Sequence, residues 1–243
     1  MIKLSSISTR APKELVKDLT RLDTQKYSAK IHELQKMLYA QGEHSLLIIL
    51  QGLDASGKDG LVSKVFSGIN PLGCFVKGFK KPTDEEMNHD FLWRIHHNTP
   101  AKGMIHIFNR SHYEDVLVPK VEKWASKEVI SKRYKHINHF EDMLQDAGTT
   151  ILKFYLHISQ EEQKQRLEER KTNPEKFWKH NDEDWETSKK WIQYMEAYED
   201  VFTNCSNVPW NIVPSDQNWY KEYTVAKAIK ETMEKLDLKF PGK

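Results

Sequence analysis

Strands alternating with helices around a glycine-rich loop predict an α/β fold, a parallel sheet covered by helices on both faces. Three observations carry that expectation. Short apolar runs recur along the chain, separated by stretches with helical spacing, which is how parallel strands joined by crossover helices read. The first run, Ser45-Leu46-Leu47-Ile48-Ile49-Leu50-Gln51, feeds directly into Gly52-Leu53-Asp54-Ala55-Ser56-Gly57-Lys58, with the spacing G-x-x-x-x-G-K. Helix-start signals at Thr83-Asp84-Glu85-Glu86 and Ser159-Gln160-Glu161-Glu162 mark where helices resume after strands.

Each element follows in order. Pro12 to Gly42 places Leu15, Leu19 and Leu22, then Tyr27, Ile31, Leu34 and Leu38, at helical spacing in two segments, a helical extension over about 11–42. After strand 45–51 and its loop, a helix runs through Ser67. Cys74 to Phe79 is a short strand ended by Pro82, and the capping box at Thr83 opens a helix to about His97 with Phe91, Leu92 and Ile95 inward. Gly103 to Phe108 is the third strand. A helix from Ser126 to Asp146, a strand from Thr149 to Ile158 and a helix from Ser159 come next. Trp210 to Val213 is the last strand, before a helix from Trp219 to Leu236. No repeat or low-complexity linker interrupts this order, so residues 1–243 are expected to form one domain.

Composition excludes several classes of function. Two cysteines, Cys74 and Cys205, are too few for a disulfide framework or a zinc site, which suggests a reducing compartment. Met1-Ile2-Lys3-Leu4 opens no secretory signal, and no apolar stretch approaches the ~20 residues that span a bilayer, so a soluble, cytoplasmic protein without membrane partners is expected. A net charge of +2 gives no case for a generic nucleic-acid binder. Any polyanion site must be local.

The phosphate loop is the first such site. A buried strand entering it and a helix leaving it let backbone N–H groups around Gly57 and Gly60 converge on an anion, and Lys58 adds a mobile cation. Nucleotide-hydrolysing loops usually follow that lysine with Ser or Thr to hold Mg²⁺, yet Asp59 stands here and Asp54 lies inside the loop. A carboxylate among phosphates needs a cation between them, so Asp54 reads as a metal ligand or as a positioning group. Asp59 could share that task or could simply complement the dipole of the new helix. The second site is the end of the third strand, Phe108-Asn109-Arg110-Ser111-His112-Tyr113-Glu114-Asp115, in the Walker B position beyond the carboxyl end of the sheet. There Arg110 could neutralise phosphate charge and Glu114 hold the metal, the plainer account of Arg110 being an ion pair with a neighbouring acid. His112 and Tyr113 suit packing beneath the loop. The third site is a segment over about 164–184, where Lys164, Arg166, Arg170, Lys171, Lys176 and Lys179 face only Glu168, Glu169 and Glu175 within 164–180. Asn173-Pro174 breaks the helix there. This is where kinases of P-loop architecture place a lid that closes on transferring phosphates, although cations on an exposed helix can also be a solvated face.

Together Gly52 to Gly60, Phe108 to Val118, the run Arg166 to Lys179 and the tail Pro209-Trp210-Asn211-Ile212-Val213-Pro214 resemble the second family of polyphosphate kinases over most of the chain. The resemblance implies reversible phosphoryl transfer between inorganic polyphosphate and nucleotides with Mg²⁺, a P-loop kinase-like fold similar to thymidylate kinase with a helical lid, and homodimers or homotetramers. By position it implies Asp54 and Lys58 as Walker A groups, with Asn109, Arg110 and Glu114 as the Walker B segment. Gly57, Lys58, Asp59, Gly60, Arg166, Arg170, Lys176 and Lys179 would contact polyphosphate, the last two matching a K-x-W-K lid pattern. Asp54 and Glu114 would hold the metal. Asn181 departs from the family, where a lid serine is common. His112 and Glu114 look like the family's third class, which phosphorylates both AMP and ADP; adenine nucleotides are the implied acceptors, with guanine nucleotides left open. Lys80, Asp90, Arg94 and Asn109 resemble nucleotide contacts, although Asp90 and Arg94 could instead form an (i, i+4) ion pair. Two rivals stay in view. An ATP-dependent kinase of a small metabolite would share the loop and lid but needs no polymer, and the missing Ser/Thr after Lys58 counts against it. A polyphosphate- or RNA-binding module without chemistry would find Asp54 and Glu114 a liability.

Overall fold

The computed structural model describes residues 2–242. Five strands, β1 (Ser45–Gln51), β2 (Cys74–Gly78), β3 (Ile105–Asn109), β4 (Thr149–His157) and β5 (Trp210–Pro214), form one sheet in the order β2-β3-β1-β4-β5. Every pairing is parallel. Because β1 is central, both of its faces are covered, and every residue from Ser45 to Gln51 is buried. Leu46, Ile48 and Leu50 pack on one side with α1 (Lys17–Gln41), α2 (Lys58–Val65) and α10 (Asn218–Glu234). Leu47 and Ile49 pack on the other with α5 (Glu114–Val121), α6 (Lys127–Asp146) and α9 (Trp191–Asn204).

The N-terminal region is one helix rather than two. Nothing between Leu22 and Tyr27 stops a helix, since Asp23-Thr24-Gln25-Lys26 holds no Gly or Pro, so α1 runs unbroken to Gly42, which closes it at φ 65°. Residues 11–16 lie outside the helix. The spacing also overstated burial: Ile31, Leu34 and Leu38 enter the core, but Leu19 and Leu22 stay 62% and 53% exposed. The helix expected from Thr83 to His97 divides instead into α3 (Asp84–Met87) and α4 (Trp93–His96). The capping box at Thr83 forms as read, but the Asp90 carboxylate accepts the backbone N–H of Leu92 and offers the chain a turn between the two pieces. The third strand starts at Ile105 because Gly103, at φ 84°, donates to the carbonyl of His44 in the approaching turn. α5 forms after Tyr113 even though it contains Pro119. Beyond β4 come α7 (Gln160–Thr172), a 3-10 turn (Pro174–Lys179) and α8 (Asp182–Lys189), before α9 leads into β5. Among the described residues no helix is long and apolar enough to cross a membrane.

Under the β3 end lies a buried polar network. Glu141 of α6 accepts the Tyr113 hydroxyl at 2.7 Å and His112 Nε2 at 3.3 Å, and its other oxygen accepts Lys153 Nζ of β4 at 2.7 Å. Lys153 also donates to the Tyr113 hydroxyl and to the Cys205 carbonyl. Burial would raise the Glu141 carboxyl, but the His112 bond and the Lys153 charge overcome it and keep the group below its ordinary value. His112 is thus a packed residue, also edge-on to Phe140, and does not face the loop.

Candidate active site

β1 and β3 lie side by side, so the loops leaving them meet beyond the carboxyl end of the sheet. The phosphate loop turns at Ala55 (φ 62°) and Gly57 (φ 92°) into α2. At the end of β3 the chain turns at Arg110, whose φ of 65° is left-handed although it is not glycine. Such a conformation costs on the order of 1 kcal/mol or more and persists where surrounding bonds hold it. Here the Arg110 N–H donates to the Leu50 carbonyl of β1, which aims its guanidinium across at the phosphate loop.

That guanidinium bridges two carboxylates. One end pairs with Asp54 and the other reaches Glu114 at 3.3 Å. Glu114 above all, with Asp54, holds Arg110 more firmly charged than usual, despite burial. The ion pair entertained for Arg110 therefore exists, and its partners are the two proposed metal ligands. Asp54 and Glu114 offer hard oxygen donors on either side of one cation, beside a phosphate loop. That donor set fits Mg²⁺, which takes one or two carboxylates and fills its remaining positions with water and substrate oxygens. Among the described residues no group of three or more His, Cys, Asp or Glu side chains forms a closed cage. Gln51, fully buried at the end of β1, lies between the two sites. In the amide orientation that satisfies both of its ends, it accepts from Ser111 and donates to Glu114 Oε1 at 2.9 Å.

Lys58 folds back onto the loop, donating to the carbonyls of Gly52 at 2.7 Å and Leu53 at 3.2 Å. Burial, followed by the nearby Arg110 charge, lowers its ammonium to about 8 although Asp54, Glu114 and Asp59 pull the other way. Asp59 stands on the exposed side of α2, where it accepts Asn109 Nδ2 at 2.7 Å and Lys179 Nζ at 3.3 Å. Burial alone would raise its carboxyl, but the Asn109 bond and Lys179 hold it below the ordinary range. Asp59 thus ties the β3 end to the segment after α7. Gly60 faces open space.

The cationic segment separates into two groups. Arg166 was expected on polyphosphate, but it lies behind the phosphate loop. Its guanidinium donates to the carbonyls of Ala55, Ser56, Ser215 and Asp216 and to Glu162, which engages every nitrogen it has. With its donors so committed, it braces the loop's backbone rather than meeting an anion in front. Arg170 likewise turns inward, to the Lys179 carbonyl and Asp184. Lys176 pairs with Glu169 of α7 and Lys179 crosses to Asp59, both lysines being half-buried. Asn181 caps α8 by accepting from the Glu183 N–H, the task a serine would perform there.

The acceptor-side residues are less converged. Lys80 is exposed, and its carbonyl accepts Arg94 Nη1 at 2.8 Å. Arg94 is only 6% exposed and pairs with Asp115 at 3.2 Å and Glu86 at 3.5 Å, so the suggested pair with Asp90 does not form. Asp90 is spent on the turn before α4.

Sequence reasoning missed three residues around the loop. Gln163 donates to the Asp54 carbonyl at 3.0 Å. Asp184 of α8 is close enough for its carboxyl, raised first by burial, to be raised further by Asp54, against the pull of Arg170. Lys221 of α10 is buried, donating to the carbonyls of Ser56 at 3.3 Å and Gly57 at 3.2 Å. One signal for Lys221 was present in the sequence. It stands four residues before Val225, in phase with Ile229 and Met233, on the stripe that α10 buries.

The chain is similar to several known proteins. The family model described as "Polyphosphate kinase 2 (PPK2)" matches residues 14–241. A protein of Meiothermus ruber named AMP/ADP-polyphosphate phosphotransferase is 49% identical over 214 residues, 87% of this chain and 80% of its own. One of Rhodopseudomonas palustris named ADP-polyphosphate phosphotransferase is 41% identical over 226 residues, covering 87% of this chain and 78% of its own. The crystal structure of Polyphosphate Kinase 2 from Arthrobacter aurescens TC1 superposes with a TM-score of 0.96 at 38% identity, over 100% of this chain and 88% of that one.

Proposed function

From the membership of this chain in the polyphosphate kinase 2 family, we propose that it phosphorylates both AMP and ADP with inorganic polyphosphate as donor, giving ADP and ATP, reversibly and with Mg²⁺. The observation that carries this reading is the bridge Asp54–Arg110–Glu114 at the mouth of the phosphate loop. A site for moving phosphoryl groups needs cations for phosphate oxygens and carboxylates for a metal within one small space, and here each holds the other in place.

The polyphosphate chain lies along the phosphate loop, with Lys58 swinging from the Gly52 and Leu53 carbonyls to its oxygens and Lys176 and Lys179 covering it from the lid segment. Arg110 neutralises the phosphoryl group in transit. The acceptor nucleotide approaches from the β3 side, near Asn109, Lys80 and the turn that carries Asp90. Arg94 serves there by holding the Lys80 backbone and Asp115 together. Asp54 and Glu114 would hold Mg²⁺, which would supply charge neutralisation for the phosphate oxygens. Transfer then needs positioning and charge neutralisation, and no covalent enzyme intermediate. Glu114 supports use of both acceptors, because a long carboxylate can keep its metal contact with either a monophosphate or a diphosphate in place.

A time course decides the matter. Purified protein is mixed with AMP, polyphosphate and Mg²⁺, with no ATP added and adenylate kinase contamination excluded. ADP should rise first and ATP later. Activity on ADP with none on AMP would overturn the dual-acceptor reading, and transfer from ATP but not from polyphosphate would overturn the donor.

A further inference from the structure

Lys221 is a cation that no part of the proposed mechanism uses, and its position under the loop is specific. Its ammonium lies against the back of the phosphate loop and takes three acceptors: the Ser56 and Gly57 carbonyls and, at 2.9 Å, Asn218 Oδ1. Across a planar trans peptide the carbonyl of one residue and the N–H of the next point in opposite directions. Holding the Ser56 and Gly57 carbonyls backward therefore aims the N–H groups of Gly57 and Lys58 forward, into the mouth of the loop. The contact is close: a Cβ on Gly57 would come within 2.1 Å of Lys221 Nζ and push the ammonium off the loop. Arg166 takes the Ala55 and Ser56 carbonyls from the adjoining side.

We infer that Lys221 is a positioning residue for the polyphosphate donor, presenting the loop's forward N–H groups and adding a positive charge behind them. The inference rests on the polyphosphate reading given above for what occupies the loop. A buried lysine is costly to fold around, and three neutral acceptors do not neutralise it. A phosphate chain in front of the loop supplies the missing countercharge through a single layer of backbone. Its surroundings agree with that account: burial and then Arg166 lower the free ammonium to about 7, with Lys58 adding to this, while Glu222 and Glu162 oppose it. An arriving polyanion favours the charged form.

Lys221→Met keeps the length of the side chain and removes its charge. Binding of tripolyphosphate alone, followed by calorimetry, should weaken roughly tenfold, the factor that about 1.4 kcal/mol of lost interaction produces. In the transfer assay KM for polyphosphate should rise by a similar factor while KM for AMP stays within about twofold, since only uniform contacts to the donor are removed. The thermal midpoint of the ligand-free variant should stay near the parent's. Parental tripolyphosphate affinity in the folded variant, or equal rises in both KM values, would overturn the inference, because a merely structural lysine gives one or the other. Should Lys221→Met fail to fold, Asn218→Ala removes one of the three partners. It should weaken tripolyphosphate binding in the same direction and by less, and unchanged binding would count against the role. The calorimetry needs no turnover, so a parent that binds tripolyphosphate through Lys221 but transfers nothing from polyphosphate would fail the proposed function and leave this inference standing.

Discussion

At the scale of single residues, Arg110 shows how charge is arranged before any substrate arrives. Its left-handed backbone turn and its two carboxylate partners fix Asp54 and Glu114 on either side of one cation. Asp54→Asn preserves volume and removes one of the two carboxylate charges proposed to hold Mg²⁺. The rate of transfer should fall about a hundredfold, as loss of one preorganised electrostatic contact does, with the fold intact by circular dichroism. Activity within threefold of the parent would remove Asp54 from the mechanism. Glu114→Asn shortens and neutralises the other proposed ligand, so activity should fall with both acceptors and the AMP-to-ADP ratio should change; an unchanged ratio would show that position 114 does not govern acceptor choice. The pair Glu141–Lys153 is fully buried, so removing one partner leaves a charge uncompensated. Glu141→Gln leaves Lys153 without its countercharge and should cost about 3–5 kcal/mol in urea unfolding. The double variant Glu141→Leu with Lys153→Met should recover part of that loss, and a double variant worse than the single would show that the pair contributes more than mutual neutralisation.

At the scale of elements, the segment from α7 to α8 serves two ends of the site. Arg166 and Gln163 reach back to the phosphate loop, while Lys179 crosses to Asp59. Lys176 and Lys179 are the cations proposed to cover the polymer from this segment. Lys176→Ala together with Lys179→Ala should raise KM for polyphosphate much more than KM for ADP, because contacts made to one ligand act on that ligand. Equal changes in initial-rate measurements would mean that the segment governs closure in general. This region also shows where sequence reading runs out. The break at Asn173-Pro174 was visible, and so was the surplus of cations, but direction was not: Arg166 and Lys179 look alike in a string, and only packing turns one behind the loop and the other beside it. The two-part helix at 84–96 was hidden for a similar reason, since a local side-chain bond from Asp90 decides it against an otherwise suitable spacing.

At the scale of the whole molecule, the strands, their parallel arrangement and the covering of both faces followed from apolar runs and helix-start signals. These are local patterns, which a sequence displays directly. The phosphate loop and the β3 end were legible because each is contiguous. What was not legible is what the fold brings in from afar: Lys221, held by Asn218, reaches residues 56 and 57 from α10, and the charge of Asp54 is felt by Asp184 of α8. The pairing of α10 with α1 and α2 that carries Lys221 into place has a consequence for how the protein is made. Ser45 meets its β4 partner Thr149 only after about a hundred further residues have been synthesised, and the floor beneath Gly57 is added later still, by α10. Such long-range closures are slow. A nascent chain therefore exposes its phosphate loop long before that loop is shaped to grip anything. The Ser56 and Gly57 carbonyls gain their lysine only once α10 has emerged and docked.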